Sequence, residues 1–435
     1  MRDWDFFLFP MHPSPALIAF IQLVWLSALH TIPYPNTMKE YVLFDHDARD
    51  RLLPLTYTRP ACGLRIGILT IQEKWEHWTR QSIQSFITHD YLAGKYPAAF
   101  SDENVLINGT VLPSGPLFRL IDQMDANEAF LLNGEVIAAR LDEDQVQRLL
   151  NDEEIEELAG YELTDSPFLK INHLWDIFSL NRQALAADFE LLTFDRTSEP
   201  IAATNRVIAP ENIFIEPGAK VEYATLNAAD GPIYIGKDAE VMEGCMLRGP
   251  IAVCEGAVLK MGAKIYGATT IGPYCRVAGE VKNSVIMGYS NKGHEGYLGD
   301  SVIGEWCNLG ADTNNSNMKN NYSEVRVWDY STNGYVPTGL TFCGLVMGDH
   351  AKTGINTMFN TGTVAGVAAN IFGSGYPPKF IPDFSWGGAE GFETFRLDKA
   401  LEMAGEMMKR RGIEMDEIEK GILEDVFYQT MDYRK

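Results

Sequence analysis

The chain is short of positive charge. Lysine and arginine number 36 against 59 aspartates and glutamates, a formal charge of −23. Nucleic acids and anionic membranes need a basic footprint on their partner, so neither is expected to bind. Paired thiols are missing too. The six cysteines (Cys62, Cys245, Cys254, Cys275, Cys307, Cys343) include no Cys-x-x-Cys. Buried free thiols in a reducing compartment are the simple reading, and a cytoplasmic location is expected. The apolar stretch Ala16–Leu29 is broken by Gln22 and Ser27 and is too short for a membrane span. It lacks the basic flank of a secretory leader, because Arg2 is offset by Asp3 and Asp5. Met38 then opens a natural first strand. Residues 1–37 are therefore expected to be an upstream translation extension, with a leader or anchor and a docked helix as alternatives.

What is present is a period. From Ile235 an aliphatic residue returns every sixth position: Val241, Leu247, Val253, Leu259, Ile265, Ile271, Val277. Six fits neither a helix at 3.6 nor a strand at 2 unless the chain turns a corner every six residues. Small residues recur four positions later, as Ala239, Cys245, Ala257, Ala263 and Cys275. A triangular parallel β-helix needs both: one inward aliphatic per short strand and a small residue at each corner. The pattern starts irregularly near Val207 and breaks at Lys282–Glu295. It resumes at Ile303 and Leu309, yields to a polar loop at 312–337, and returns with Met347, Phe359 and Ile371.

Hydrophobic residues make up 46% of the chain, enough for packed cores throughout. Residues 38–185 alternate apolar runs (Tyr41–Phe44, Val105–Ile107, Ala129–Leu132) with helical spacing (Ile71–Phe86, Asp144–Leu158). That alternation predicts an α/β domain with a mainly parallel sheet. Residues 186–206 read as a linker, 207–380 as the β-helix and 381–435 as a tail. The tail holds two amphipathic helices, Leu397–Arg411 and Met415–Tyr428, with Gly412 between them.

Interruptions of a solenoid gather on one face and carry function. The break at 282–317 holds Lys282, His294, Tyr297, Asn308 and Asn317 on successive coils. A neutral imidazole can take a proton from an attacking amine, lysines can hold a phosphate, and amides can orient an oxyanion. The run Lys-x11-His-x2-Tyr-Leu-Gly-Asp-x2-Ile-Gly-x3-Asn-x-Gly-Ala from Lys282 to Ala311 resembles the acetyltransferase half of the GlmU-type bifunctional enzymes. The resemblance implies a left-handed parallel β-helix of hexapeptide repeats and a homotrimer with acetyl-CoA bound between subunits. It also implies His294 as general base, with Asn317 beside it in the catalytic site. Lys264, Lys282, Tyr297 and Asn308 match positions that bind the sugar phosphate. Lys264 stands where the family has arginine, and Met318 follows Asn317 where the family has tyrosine.

The segment Arg51-Leu-Leu-Pro-Leu-Thr-Tyr-Thr-Arg59-Pro60, followed by Arg65, resembles the opening of the sugar-1-phosphate nucleotidyltransferases, whose N-terminal domain is Rossmann-like. Their glycine-rich loop is replaced here by Asp45-His46-Asp47-Ala48, and their metal-binding aspartate by Asn108. By this resemblance Arg51, Arg59, Arg65 and Asn108 are the expected nucleotide-binding residues. Asp176, in Trp-Asp-Ile-Phe-Ser-Leu-Asn, is the expected ligand for Mg2+. The implied function is acetyl transfer to glucosamine-1-phosphate, then uridylyl transfer from UTP. One alternative is a nucleotidyltransferase for another sugar phosphate, such as a thymidylyltransferase, with the β-helix as scaffold. A non-enzymatic binding protein is the other.

Overall fold

The computed structural model describes residues 39–151, 153–164 and 168–434. The apolar stretch expected as an extension lies outside them. The run Tyr41-Val-Leu-Phe44 forms strand β1 (Glu40–Phe44), buried through its middle. It lies between β2 (Ser85–Ile87) and β3 (Asn104–Asn108) and is parallel to both. The sheet then continues through β4 (Glu128–Leu132), β5 (Glu135–Leu141) and β6 (Ala159–Glu162), in the order β2-β1-β3-β5-β4-β6. β5 runs antiparallel to both of its neighbours. The sheet is therefore mixed, where alternation of strand and helix predicted it mainly parallel. The cause is a hairpin: Asn133 and Gly134 both take positive φ, 54° and 78°, in a two-residue turn that joins β4 directly to β5.

Helix Ile71–Thr79 starts at a capping box between Thr70 and Glu73. It stops where Arg80 turns left-handed at φ 57°, so Phe86 falls in β2 and not in the helix. The predicted second helix is also shorter, Glu143–Leu150. Helix Asn181–Thr193 runs on past residue 185.

From Arg206 the chain winds into three parallel ladders. A first face runs from Arg206–Ile208 to Tyr297–Gly299 in six strands, and a second from Ile213–Ile215 to Phe380–Ile381 in nine. The third climbs from Lys220–Val221 to Asn291–Lys292, then passes through single bridges at Asn308 to Lys352–Thr353 and Asn370–Ile371. The register sets like on like: Val253 on Ile271, Leu259 on Val277, Leu247 on Ile265. These inward residues form one continuous core, and the corner residues Ala239, Cys245, Ala257, Ala263 and Cys275 are fully buried within it. All six cysteines are free and buried. The tail forms helices Leu397–Lys409 and Glu417–Gln429, with Gly412 at φ 74° between them. No helix among the described residues is long and apolar enough to cross a membrane.

The outer side of the second face meets the N-terminal domain. Val285, Val302, Val346 and Val364 share a core with Leu52, Leu55 and Tyr57. Polar groups lock the seam. Asn181 accepts from Gly67 N at 2.6 Å and donates to Ala268 O at 2.7 Å. Behind the seam, within the N-terminal domain, Asp188 accepts from Ile68 N at 2.7 Å and pairs with the buried Lys74 ammonium. Removing one partner of a buried pair strands the other's charge. Lys74→Met should therefore destabilise the protein by about 3–5 kcal/mol in urea unfolding, whereas a surface pair of the same length would give under about 1.

Candidate functional site

The repeat breaks at the corner where the third face turns into the first. Lys292 closes the third face, Gly293 to Gly296 make the turn, and Tyr297 opens the first-face strand. His294 is exposed on this turn. On the same face below lie Lys264 and Lys282 on successive strands, Lys264 in register with Glu280 and, one strand on, Tyr297, and Lys282 two residues along in register with Gly299. Lys264 Nζ is 3.6 Å from Glu295 Oε2 on the turn itself. Lys282 Nζ lies 5.1 Å from the centre of the Phe342 ring, a cation–π contact. Asn317, from the next coil, donates its amide to the Tyr297 hydroxyl at 2.9 Å and to Asp300 Oδ2 at 2.6 Å. Asp300 also accepts from Asn283 at 2.7 Å. Burial pushes the Tyr297 phenol up to about 12, with the Asp300 and Glu280 carboxylates adding to it. Tyr297 is therefore a neutral hydroxyl at physiological pH.

The fold thus brings His294, Lys264, Lys282, Tyr297 and Asn317 to one corner and one face. Asn308 stands apart. It sits on the third face, where its side-chain oxygen accepts from Asn291 at 3.4 Å. Asn317 has committed both donors to Tyr297 and Asp300, so its local work is to orient the phenol. Asp300 was missed in the sequence. Its signal was present, since it is the acid that ends Tyr297-Leu-Gly-Asp300.

The second candidate site follows from sheet order. The chain leaves β1 for β2 on one side and then crosses to β3 on the other. That reversal opens a crevice outside the carboxyl ends of β1 and β3, where α/β sheets bind ligands. His46 follows β1, and its Nδ1 lies 3.2 Å from Glu135 Oε1. Lys170 pairs with Glu135 and donates to Asn172 Oδ1 at 2.9 Å. Arg51 Nε donates to Asn172 O at 3.2 Å. Of these, only Arg51 is a nucleotide contact expected from the sequence. Glu135 was hidden because the Asn133-Gly134 hairpin was not read.

Three expected nucleotide contacts need correction. Arg59 is buried and paired with Asp349, and lies 3.2 Å from Glu305, both on the β-helix. It ties the domains together and is not open to a triphosphate. Arg65 is buried too, donating to Ile68 O and lying 3.3 Å from Glu73. Asn108 is fully buried. Its amide donates to Glu135 at 3.0 Å and Val136 O at 3.1 Å, and its oxygen accepts from Thr110 at 2.7 Å. The metal assignment of Asp176 does not fit either. Its Oδ2 accepts the backbone amides of Asn172 and His173 at 2.8 and 2.9 Å, closing a turn. Among the described residues no group of three His, Cys, Asp or Glu could hold a metal ion.

A sugar nucleotidyl transferase family profile matches residues 41–197. A bifunctional sugar-1-phosphate nucleotidylyltransferase/acetyltransferase from Sulfurisphaera tokodaii is 27% identical over 397 residues, covering 77% of this chain and 96% of that protein. The bifunctional protein GlmU of Thermus thermophilus is 33% identical over 131 residues, 24% of this chain and 28% of that one. GlmU of Methanocaldococcus jannaschii is 38% identical over 87 residues, 20% and 21% of the two chains. The chain thus spans under a third of the length of these two GlmU relatives, and nearly all of the first.

The Tyr297 environment has a measurable sign. Asp300 raises the phenol pKa by charge, so Asp300→Asn should shift one tyrosine ionisation to lower pH. The shift is read in an absorbance titration as a difference against Tyr297→Phe. An unmoved curve would mean that the Asp300 charge does not reach the ring.

Proposed function

We infer that this chain, a GlmU-like transferase, makes UDP-N-acetylglucosamine in two steps. The first is acetyl transfer from acetyl-CoA to glucosamine-1-phosphate at the β-helix corner. The second is uridylyl transfer from UTP to N-acetylglucosamine-1-phosphate at the N-terminal crevice. The observation that carries the first step is the convergence of Lys264, Lys282, Tyr297 and Asn317 beside the exposed His294 turn.

Only the neutral amine of the sugar can attack a thioester. His294 takes the amine proton as the N–C bond forms, and the C–S bond breaks to release coenzyme A, which recovers a proton. Lys282 and Lys264 hold the sugar phosphate as point charges. The neutral Tyr297 hydroxyl, oriented by Asn317, binds a sugar oxygen. Asn308 keeps its sugar-site role by resemblance alone. No covalent enzyme intermediate is needed, so buried, inert thiols are no obstacle. In the second step a phosphate oxygen of the sugar attacks the α-phosphorus of UTP and pyrophosphate leaves. Arg51 and Lys170 are the cations at the crevice that would face those phosphates.

Exposed apolar side chains on the β-helix, among them Met246, Met261, Ile355 and Met358, support assembly into the homotrimer that GlmU-type architecture implies. Six free cysteines support a reducing, cytoplasmic setting.

Thiol release from acetyl-CoA with glucosamine-1-phosphate tests the first step. His294→Ala should lower kcat by about 10²–10⁴-fold without loss of fold. A wild-type protein that releases no thiol would sink the step, and an undiminished variant would sink the base. Pyrophosphate release from UTP and N-acetylglucosamine-1-phosphate tests the second. Lys170→Ala should raise KM for UTP by about tenfold, a loss of one charged contact. Silence of the wild type there, with acetyl transfer intact, would leave a one-step enzyme.

A further inference from the structure

The third face sends one side chain inward per coil. Below the break these are Val221, Val241, Leu259 and Val277; above it come Leu309, the buried Thr353 and Ile371. Between Val277 and Leu309 the inward position is held by Lys292, in register with Val277. It is only 2% exposed. A lysine there gives up hydration that a valine would never need, and burial brings its pKa down to about 8. The cost is offset by two backbone acceptors. Lys292 Nζ donates to Ala278 O at 3.1 Å and to His294 O at 2.9 Å. Ala278 and His294 belong to the same corner on successive coils. Gly279 fits this arrangement, since a Cβ there would come within 2.9 Å of both Lys292 Nζ and Gly296 O. The corner is built around the ammonium.

We propose that Lys292 is a positioning residue for the general base: from inside the solenoid it holds the His294 carbonyl and so fixes the turn that aims the imidazole at the substrate amine. The role rests on the acetyl-transfer reading above. Lys292 touches no substrate and acts only through His294. The turn has glycine on both sides, Gly293 and Gly296, and no regular hydrogen-bonded strand of its own. Among the described residues no other side chain donates to the His294 carbonyl from the core side. Misplacement by about 1 Å can cost a hundredfold in rate.

The test is a KM-against-kcat split combined with a double-mutant cycle. Lys292→Met should lower kcat for thiol release by about 10–100-fold and leave KM for glucosamine-1-phosphate within about twofold. Added to His294→Ala, it should cost nothing further, because both changes disable one unit. Lys292→Gln keeps a donor beneath the turn and should recover part of the lost rate. An unchanged kcat in Lys292→Met, or a further loss on top of His294→Ala, overturns the proposal. So does failure of both the Met and Gln variants to fold, which would make Lys292 a core residue only. A wild-type protein without thiol release would instead remove the acetyl-transfer reading itself.

Discussion

Inward side chains of the solenoid rest on their counterparts one coil below, and this stacking fixes where every outward group stands. Burying a Val, Leu or Ile is worth about 1.5–3 kcal/mol, and slipping the register would forfeit that along the whole ladder. The coils are therefore not free to adjust around a ligand. Whatever projects from a corner is held to the position that the stack dictates. At one corner the stack itself changes character. Lys292 replaces an aliphatic on the third face, and one coil higher Asn315 takes the inward place on the first face, beneath Phe359. Asn315 accepts from Gly299 N at 3.0 Å and donates to Gly299 O at 3.1 Å. Polar groups thus brace the strands that carry His294 and Tyr297 from within.

The same economy of position explains the N-terminal half. Its sheet leans on the outer side of the second face, and the buried Arg59 serves that seam. Thr58 donates to Asp349 at 2.7 Å beside the Arg59 pair, and Thr270 reaches across to Gly67 O at 2.8 Å. The short helix Ala48–Arg51 occupies the loop where a glycine-rich cradle was sought, with Arg49 buried against Thr56 O and Tyr91. What is left at the switch point between β1 and β3 is a compact polar group of His46, Arg51, Glu135, Lys170 and Asn172. The insertion at 312–337 also folds inward: Tyr330 packs edge-on against Tyr57 and donates to Asp383 at 2.9 Å. A segment that begins beside the His294 corner therefore reaches the N-terminal domain.

The six-residue period was fully legible because a solenoid repeats one local constraint, and local constraints survive in sequence. That His294, Lys282, Tyr297 and Asn317 gather at the break was legible in the period, while their roles rest on the family resemblance. Arg59 was misread because its partner Asp349 lies 290 residues away, and no local pattern announces such a pair. Asn108 was misread for the same reason: its satisfaction by Glu135 depends on a hairpin whose Asn-Gly signal was available but unused. Lys292 was passed over because a lysine normally marks a surface, and only the register with Val277 reveals it as inward.

We infer that acetyl transfer takes place at the corner where Lys292 and Asn315 replace aliphatics in the inward stack. A crystal structure of the protein with glucosamine-1-phosphate and coenzyme A decides this. The sugar amine should lie within hydrogen-bonding distance of the His294 ring, about 3 Å, with the phosphate against Lys282 and a sugar oxygen on Tyr297. A sugar phosphate seated at any other corner or face of the solenoid would contradict it.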